Sequence, residues 1–227
     1  MPDKRLIKPP LDLAAPEQTV MATFSMGCFW SPDALFGSVE AVVRTRVGYA
    51  GGTSANPTYW TLADHIETLQ LEYDPAKTNY SELLQLFFSS HKATRAPWKR
   101  QYMSAMFYHN PEQEQQARQA KAHLMKTTGE KVFTEIYPFE KFYLAEDRHQ
   151  KYKLQRLPAL LEEFLEMYPT ITDLTHSTAA ARINGYLYGY GNLQNLAHEI
   201  DRFGLSPAGQ KILFDNAKAR RTIRCSS

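Results

Sequence analysis

The chain has 227 residues, of which 43% are hydrophobic and 22% charged, a composition typical of a globular protein that buries a core without disulfides or metals. Its formal net charge of +2 is too small to indicate nucleic-acid binding, and no apolar run approaches the ~20 residues needed to span a bilayer. The two cysteines, Cys28 and Cys225, are too few for a disulfide framework, so a reducing, cytoplasmic location is predicted.

Hydrophobic periodicity predicts alternating strands and helices after an irregular arm. In chain order we predict a strand over 22–27, a helix from 31, strands over 39–49 and 65–73, a helix over 80–90, a strand over 102–109, a helix over 111–128 and a strand over 132–137. At the first helix, Ser31 is predicted to be the N-cap and Pro32 to lie in the first turn. The order predicts an α+β fold, a ferredoxin-like two-layer α/β sandwich with a mixed sheet.

Only helical patterns follow Pro158, so a C-terminal helical extension is predicted. Its helices are predicted over 160–167, 174–188, 193–203 and 207–221. Gly204 is expected to end the third of them. The predicted domain organisation is an irregular arm over 1–20, a catalytic domain over 21–157 and the extension over 158–227, which carries Cys225.

Cys28 lies where a predicted strand ends and a helix begins. Unpaired amide groups and the positive end of the helix dipole would stabilise a thiolate there, and the thiolate is the reactive form. Position alone is equally compatible with a buried, inert cysteine. Phe29 and Trp30 follow directly, and two such large rings must either pack in the core or line a pocket.

A series of short motifs decides between these interpretations of Cys28. In chain order they are Gly27-Cys28-Phe29-Trp30, Val47-Gly48-Tyr49-Ala50-Gly51-Gly52, Asn56-Pro57-Thr58-Tyr59, His65-Ile66-Glu67, Tyr73-Asp74-Pro75, Gln101-Tyr102-Met103-Ser104 and the segment 142–150. This ordered set resembles the peptide methionine sulfoxide reductase A family. The resemblance implies an enzyme that reduces methionine S-sulfoxide, either free or in oxidised proteins, without a metal or cofactor.

The resemblance also implies roles for individual residues. Cys28 would attack the sulfoxide sulfur, and Phe29 and Trp30 would form the pocket for the methyl group. Tyr59 and Tyr102 would hydrogen-bond the sulfoxide oxygen, because a phenol can donate without a change of charge.

Glu67 is predicted to donate the proton that the departing oxygen needs. It shares a strand face with Leu69 and Leu71, so burial would raise the pKa of its carboxyl group, and a nearby Cys28 thiolate would raise that pKa further. The alternative is a solvated strand glutamate. His65, two residues earlier, is expected to support the strand or the site.

Turnover would leave a sulfenic acid on Cys28, which a second thiol can convert to a disulfide. Cys225 is the other cysteine of the chain and is predicted to resolve this acid, with Arg220, Arg221 and Arg224 favouring its thiolate. The alternative is an inert tail cysteine. By the resemblance, a dithiol such as thioredoxin would reduce the disulfide. The protein is expected to act as a monomer.

Three features depart from the family pattern. Ser31 replaces the usual glycine after the first motif, and Pro97 stands where the family usually carries an aspartate. The extension replaces the glycine-rich tail, and its segment 182–187 resembles the longer tail of insect-type members. Two alternatives therefore stay open: another thiol peroxidase or oxidoreductase, and a binder of oxidised methionine that does not turn over. His149 is expected to order the fold.

Overall fold

A computed structural model describes the backbone of residues 8–225 and the side chains of residues 8–220. The strands are β1 Val20–Met26, β2 Val42–Ala50, β3 Ile66–Tyr73, β4 Ser104–Tyr108, β5 Glu135–Pro138 and β6 Phe142–Leu144. The α-helices of this part of the chain are α1 Pro10–Leu13, α2 Trp30–Gly37, α3 Tyr80–Ser89, α4 Pro111–Thr128, α5 Pro158–Met167, α6 Ile171–Leu174, α7 Thr178–Tyr188, α8 Leu193–Glu199 and α9 Pro207–Cys225. Among them, none is both long enough and apolar enough to cross a membrane.

The strands form one six-stranded sheet in the order β5-β4-β1-β3-β2-β6. β1 runs antiparallel to both β3 and β4, and Phe24 lies opposite Leu69 on one side and Met106 on the other. β2 and β6 are antiparallel, whereas β4 and β5 are parallel, so the sheet is mixed. Strands β1 to β4 and helices α2 and α3 follow the order β-α-β-β-α-β, which confirms the predicted ferredoxin-like α+β class.

Local sequence explains why α3 forms and where it packs. The Asn79 side chain caps its first turn by accepting a hydrogen bond from the Glu82 amide. Its apolar face covers β1, where the Phe24 ring lies 5.7 Å from that of Tyr80 and 5.2 Å from that of Phe87, centroid to centroid. Both the start and the end of this helix lie within one residue of the predicted limits.

Several predicted elements differ from the structure, among them the following three. Helix α2 begins one residue earlier than predicted, so Ser31 lies inside its first turn and is not its N-cap. The predicted helix over 174–188 is two helices, because the Ser177 side chain caps a new start at α7 by accepting from the Ala180 amide. The predicted arm contains the short helix α1.

The residues group into two compact units. One contains Gln18–Pro32 and Arg46–Glu146; the other contains, among the described residues, 8–17, Asp33–Thr45 and 147–225. The domain limits at 20/21 and 157/158 stay a prediction. In the second unit, helices α5 to α9 enclose a core of buried side chains that include Leu154, Leu160, Phe164, Leu174, Ile183, Leu187, Leu196, Phe203 and Leu213.

A buried ion pair in the second unit holds the first turn of α2. Asp33 accepts hydrogen bonds from Lys151 Nζ at 2.9 Å and Thr45 Oγ1 at 2.5 Å through one carboxylate oxygen, and from Asn184 Nδ2 at 3.1 Å through the other. The Lys151 side chain is fully buried and also donates to the Thr45 carbonyl oxygen. Both charges are therefore fully hydrogen-bonded, as burial requires.

Arg182 of α7 holds the other end of the same helix. Its guanidinium group donates to the carbonyl oxygens of Gly37, Val39 and Glu40 at 2.9–3.1 Å and pairs with Glu199 at 3.0 Å. These carbonyl groups lie at or just beyond the C-terminus of α2, where the backbone lacks helical partners. The segment 182–187 thus contains side chains that bind α2 at both of its ends.

Candidate active site

Cys28 lies in a short turn that connects β1 to α2. Gly27 has a φ of +87°, in the left-handed region that favours glycine, and it turns the chain out of the sheet. The turn leaves Cys28 exposed while the next residue, Phe29, is 1% exposed. The Trp30 amide donates a hydrogen bond to the Cys28 sulfur. A thiol is thus presented at the surface with one backbone donor beside it.

The Glu67 carboxyl group is buried directly behind this turn. Its Oε2 accepts a hydrogen bond from the Phe29 amide at 3.1 Å, and its Oε1 accepts one from Gln101 Nε2 at 2.6 Å. Burial raises the pKa of this carboxyl group, and the two hydrogen bonds offset only part of the effect. Seven of the eight residues of β3 are buried, so burial of Glu67 does not depend on which strand face it shares.

The sequence-based expectation for the Cys28 thiol is wrong in direction. Desolvation raises the pKa of this thiol, the Trp30 amide lowers it, and the neighbouring Glu67 carboxylate raises it again. The helix-start amide does act on the sulfur as predicted, but desolvation outweighs it. At neutral pH the resting site therefore holds a neutral thiol beside a carboxyl group that retains its proton more strongly than usual.

Two tyrosine hydroxyl groups lie beside this pair. Desolvation, a hydrogen bond with Tyr59 and the charge of Glu67 together raise the pKa of Tyr102 to about 12. The charge on Cys28 acts on the same hydroxyl, so Tyr102 lies close to both the thiol and the carboxyl group. Tyr102 consequently stays protonated at physiological pH and can donate a hydrogen bond.

Sequence analysis assigned no role to Glu146, which also lies at this site. Its Oε1 accepts from the Tyr59 amide at 3.0 Å and its Oε2 accepts from the Tyr49 hydroxyl at 2.7 Å. It therefore fixes the backbone of the loop that presents Tyr59. Gln101, which donates to Glu67, was likewise noted only as part of a motif. For both residues, a polar side chain inside a family motif was the feature of the sequence that could have identified them.

An open pocket of about 400 Å³ borders Cys28. Its other walls are formed by Met26, Gly27, His91, Lys92, Arg95, Ala96, Pro97, Trp98, Tyr102 and Ser104. Trp98 stacks on Tyr102 with ring centroids 5.2 Å apart. Pro97, at the position of the family aspartate, lies in this wall and contributes no carboxylate.

The remaining predicted site residues are placed differently. Phe29 packs against Tyr49 with ring centroids 6.0 Å apart, and Trp30 is partly buried, but neither lines the 400 Å³ pocket. Their role in holding the methyl group stays a prediction. Cys225 is the last residue of α9, but its side chain lies outside the described residues, so its pairing with Cys28 also stays a prediction.

The two histidines singled out in the sequence are both buried. His65 Nε2 lies 2.8 Å from the Ser54 carbonyl oxygen, and its ring meets the edge of Tyr143. His149 lies in a single helical turn over Asp147–His149. Across the described residues, no group of three or more His, Cys, Asp or Glu side chains could hold a metal ion.

Comparisons with known proteins agree on one family. The family model described as peptide methionine sulfoxide reductase matches residues 20–180. A peptide methionine sulfoxide reductase from Drosophila melanogaster is 40% identical over 195 residues, which cover 85% of this chain and 78% of the relative.

Two solved structures show the same likeness. Mxr1 from Saccharomyces cerevisiae in reduced form has a TM-score of 0.58 and 28% identity, covering 63% of this chain and 88% of that one. Methionine sulfoxide reductase A of Corynebacterium diphtheriae has a TM-score of 0.55 and 31% identity, covering 64% of this chain and 78% of that one.

Proposed function

We propose a mechanism from the premise that this chain belongs to the peptide methionine sulfoxide reductase family. The protein reduces methionine S-sulfoxide to methionine, and the assignment of Cys28 and Glu67 to the two chemical roles is our proposal. One observation carries it: a surface thiol and a buried carboxyl group of raised pKa are joined through the Phe29 amide. Sulfoxide reduction needs a sulfur nucleophile and a proton donor together.

In the proposed reaction the Cys28 sulfur attacks the sulfoxide sulfur while the Glu67 carboxyl group protonates the sulfoxide oxygen. The thiol proton passes to the Glu67 carboxylate, which restores the acid. The net step converts a thiol and a sulfoxide into a sulfenic acid on Cys28 and a thioether. Oxygen moves from one sulfur to the other, so the substrate gains the two electrons that Cys28 loses.

Tyr102 supports the same step. Its raised pKa keeps the hydroxyl protonated, and its position beside Cys28 and Glu67 allows it to donate to the sulfoxide oxygen as negative charge develops there. Tyr59 is held by Glu146 and orients Tyr102 through their shared hydrogen bond.

The cycle closes when a second thiol attacks the sulfenic sulfur, forming a disulfide and releasing water. Cys225 is the other cysteine in the sequence, and we assign it this role. A dithiol protein such as thioredoxin then reduces the disulfide by exchange. We also propose that the protein works as a cytoplasmic monomer, which fractionation and size-exclusion measurements test.

A single-turnover experiment tests both assignments. One equivalent of a peptide with oxidised methionine is added without reductant, and the protein is analysed by mass spectrometry. We expect wild type to lose two hydrogen atoms as a disulfide forms, and Cys225→Ser to gain one oxygen atom on Cys28. Cys28→Ser should leave the peptide oxidised. Turnover by Cys28→Ser would overturn the nucleophile, and a sulfenic acid on Cys28 that persists in wild type as it does in Cys225→Ser would overturn the resolving role.

A further inference from the structure

The pocket beside Cys28 has a positively charged wall. Lys92 and Arg95 both line the pocket and are both exposed. Among the described residues, neither forms an ion pair with a carboxylate. The two charges are therefore available to a bound anion next to the nucleophile.

The surrounding segment does not neutralise these charges. From residue 83 to residue 111 the sequence contains no aspartate or glutamate. Arg100 is also in this segment and donates to the carbonyl oxygens of Asp64 and Gly51, which leaves its positive charge without a counterion there. The Asp64 carboxylate binds Thr53 instead, and the Glu67 carboxyl group is buried with a raised pKa. The described residues that line the pocket therefore include two cationic side chains, Lys92 and Arg95, and no carboxylate.

An aromatic surface continues the same wall. Trp98 is 71% exposed and stacks on Tyr102, whose hydroxyl lies at the reacting centre. A large exposed ring offers contact area at a small cost in conformational entropy, which suits an extended peptide. We name the surface formed by Lys92, Arg95 and Trp98 the basic wall.

We propose that the basic wall selects oxidised methionine flanked by acidic residues in a peptide chain; this inference rests on the proposed function. Flanking carboxylates can reach Lys92 and Arg95 while the sulfoxide lies at Cys28.

The test compares three peptides of equal length in which oxidised methionine is flanked by glutamate, glutamine or lysine, with dithiothreitol as reductant. We expect kcat/KM to follow the order glutamate, glutamine, lysine, with about a ten-fold step between the first two at low salt, as for two partly solvated charge contacts. Raising the salt to about 0.5 M should shrink this step to about two-fold by screening. Equal kcat/KM for the three peptides in low salt would overturn the proposal.

Variants test whether the preference for flanking glutamate arises from the basic wall. The double variant Lys92→Gln/Arg95→Gln should reduce the glutamate-to-glutamine ratio to about one to two-fold, because both charges are removed. The matched control Arg118→Gln/Lys126→Gln removes two exposed charges from α4, outside the pocket, and should keep the ratio. The proposal is wrong if the glutamate-to-glutamine ratio of kcat/KM is unchanged in the Lys92/Arg95 variant. It is also wrong if that ratio falls by the same factor in the control variant. Failure to reduce any of the three peptides would instead refute the proposed function.

Discussion

Burial of Glu67, the proposed acid, carries a cost in stability. Its raised pKa means that the folded protein binds this proton more tightly than the unfolded chain does. The stability of wild type therefore falls as pH rises from the ordinary glutamate pKa through the raised folded value. Replacing Glu67 with a side chain that does not ionise removes this pH dependence of stability.

We therefore expect Glu67→Gln to have opposite effects on activity and stability. The rate should fall by about 100- to 10,000-fold, the range for a lost general acid. The unfolding temperature should rise relative to wild type at about pH 8 and not at about pH 4, where the wild-type carboxyl group is protonated. Steady-state kinetics and thermal unfolding at both pH values measure this. Activity within a few-fold of wild type would exclude Glu67 as the acid.

Gln101 provides a second, independent test of this acid. Its amide donates to Glu67 and stabilises the carboxylate, which lowers the pKa of that group. Gln101→Met should therefore raise the pKa of Glu67 and move the alkaline limb of the kcat profile to higher pH, where the acid would otherwise be lost. The control is Gln85→Met, an exposed change on α3. A limb that stays in place, or moves to lower pH, would contradict a Glu67 acid.

At the residue scale, motif spacing is enough to propose Cys28 and Glu67 as site residues, and these assignments stay predictions. The direction of the Cys28 pKa shift could not be predicted in the same way, because the residues that surround the thiol come from segments distant in sequence. Glu146 is missed for the same reason, since its partner Tyr59 lies 87 residues away.

At the scale of elements, α2 is fixed at both ends by side chains of the C-terminal helices. Asn184 and the Asp33–Lys151 pair hold its first turn, and Arg182 binds the carbonyl groups at its end. Gly185 allows this approach, since a Cβ there would lie 2.7 Å from the Ala34 carbonyl oxygen. The extension therefore supports the helix that follows Cys28.

Arg182→Met should consequently destabilise the protein strongly. The substitution removes the cation that pairs with Glu199 and the guanidinium donor to three carbonyl groups. Breaking a buried ion pair of this kind costs about 3–5 kcal/mol in the free energy of unfolding. Urea unfolding measures this value, and Arg202→Met, an exposed change in the same unit, should cost under about 0.5 kcal/mol. Equal costs for the two variants would show that Arg182 does not act through these contacts.

Elements with strong local signals were predicted well, and short ones were not. Helix α4 has an Asn110 cap, proline at its first position and Gly129 at φ +68° after its end, and its predicted limits agree with the structure. Strand β6 has three residues and pairs with the edge of β2, so no periodicity marks it in the sequence. Helix α1, with four residues, lacks a side-chain cap and was missed for the same reason.

At the scale of the whole molecule, the chain passes between its two units more than once. The unit that contains α5 to α9 also contains Asp33–Thr45, which interrupts the other unit in sequence. Removing the extension therefore does not remove a self-contained terminal domain. Another part of the same unit, Asp33–Thr45, lies within the region of the chain that carries the family motifs. The family motifs end near residue 150, so motif content alone would suggest that residues 1–157 suffice.

We expect the opposite: a chain ending at residue 157 should neither fold nor reduce oxidised methionine. Truncation removes most of the buried core of its unit, including Leu160, Phe164, Leu174, Ile183, Leu187, Leu196, Phe203 and Leu213. Each such side chain contributes about 2–5 kcal/mol, so the loss exceeds the roughly 5–15 kcal/mol that stabilises a typical domain. Circular dichroism, solubility and single-turnover activity measure the outcome.

A shorter truncation serves as the control. A chain ending at Arg220 loses Cys225 but keeps the described core, whose last member is Ala217. It should fold and complete one turnover, yet fail to form the intramolecular disulfide and so fail to recycle with thioredoxin. If residues 1–157 gave a soluble, active enzyme, the buried contacts of Arg182 and Asn184 with the α2 segment would be dispensable. The extension would then serve recycling alone.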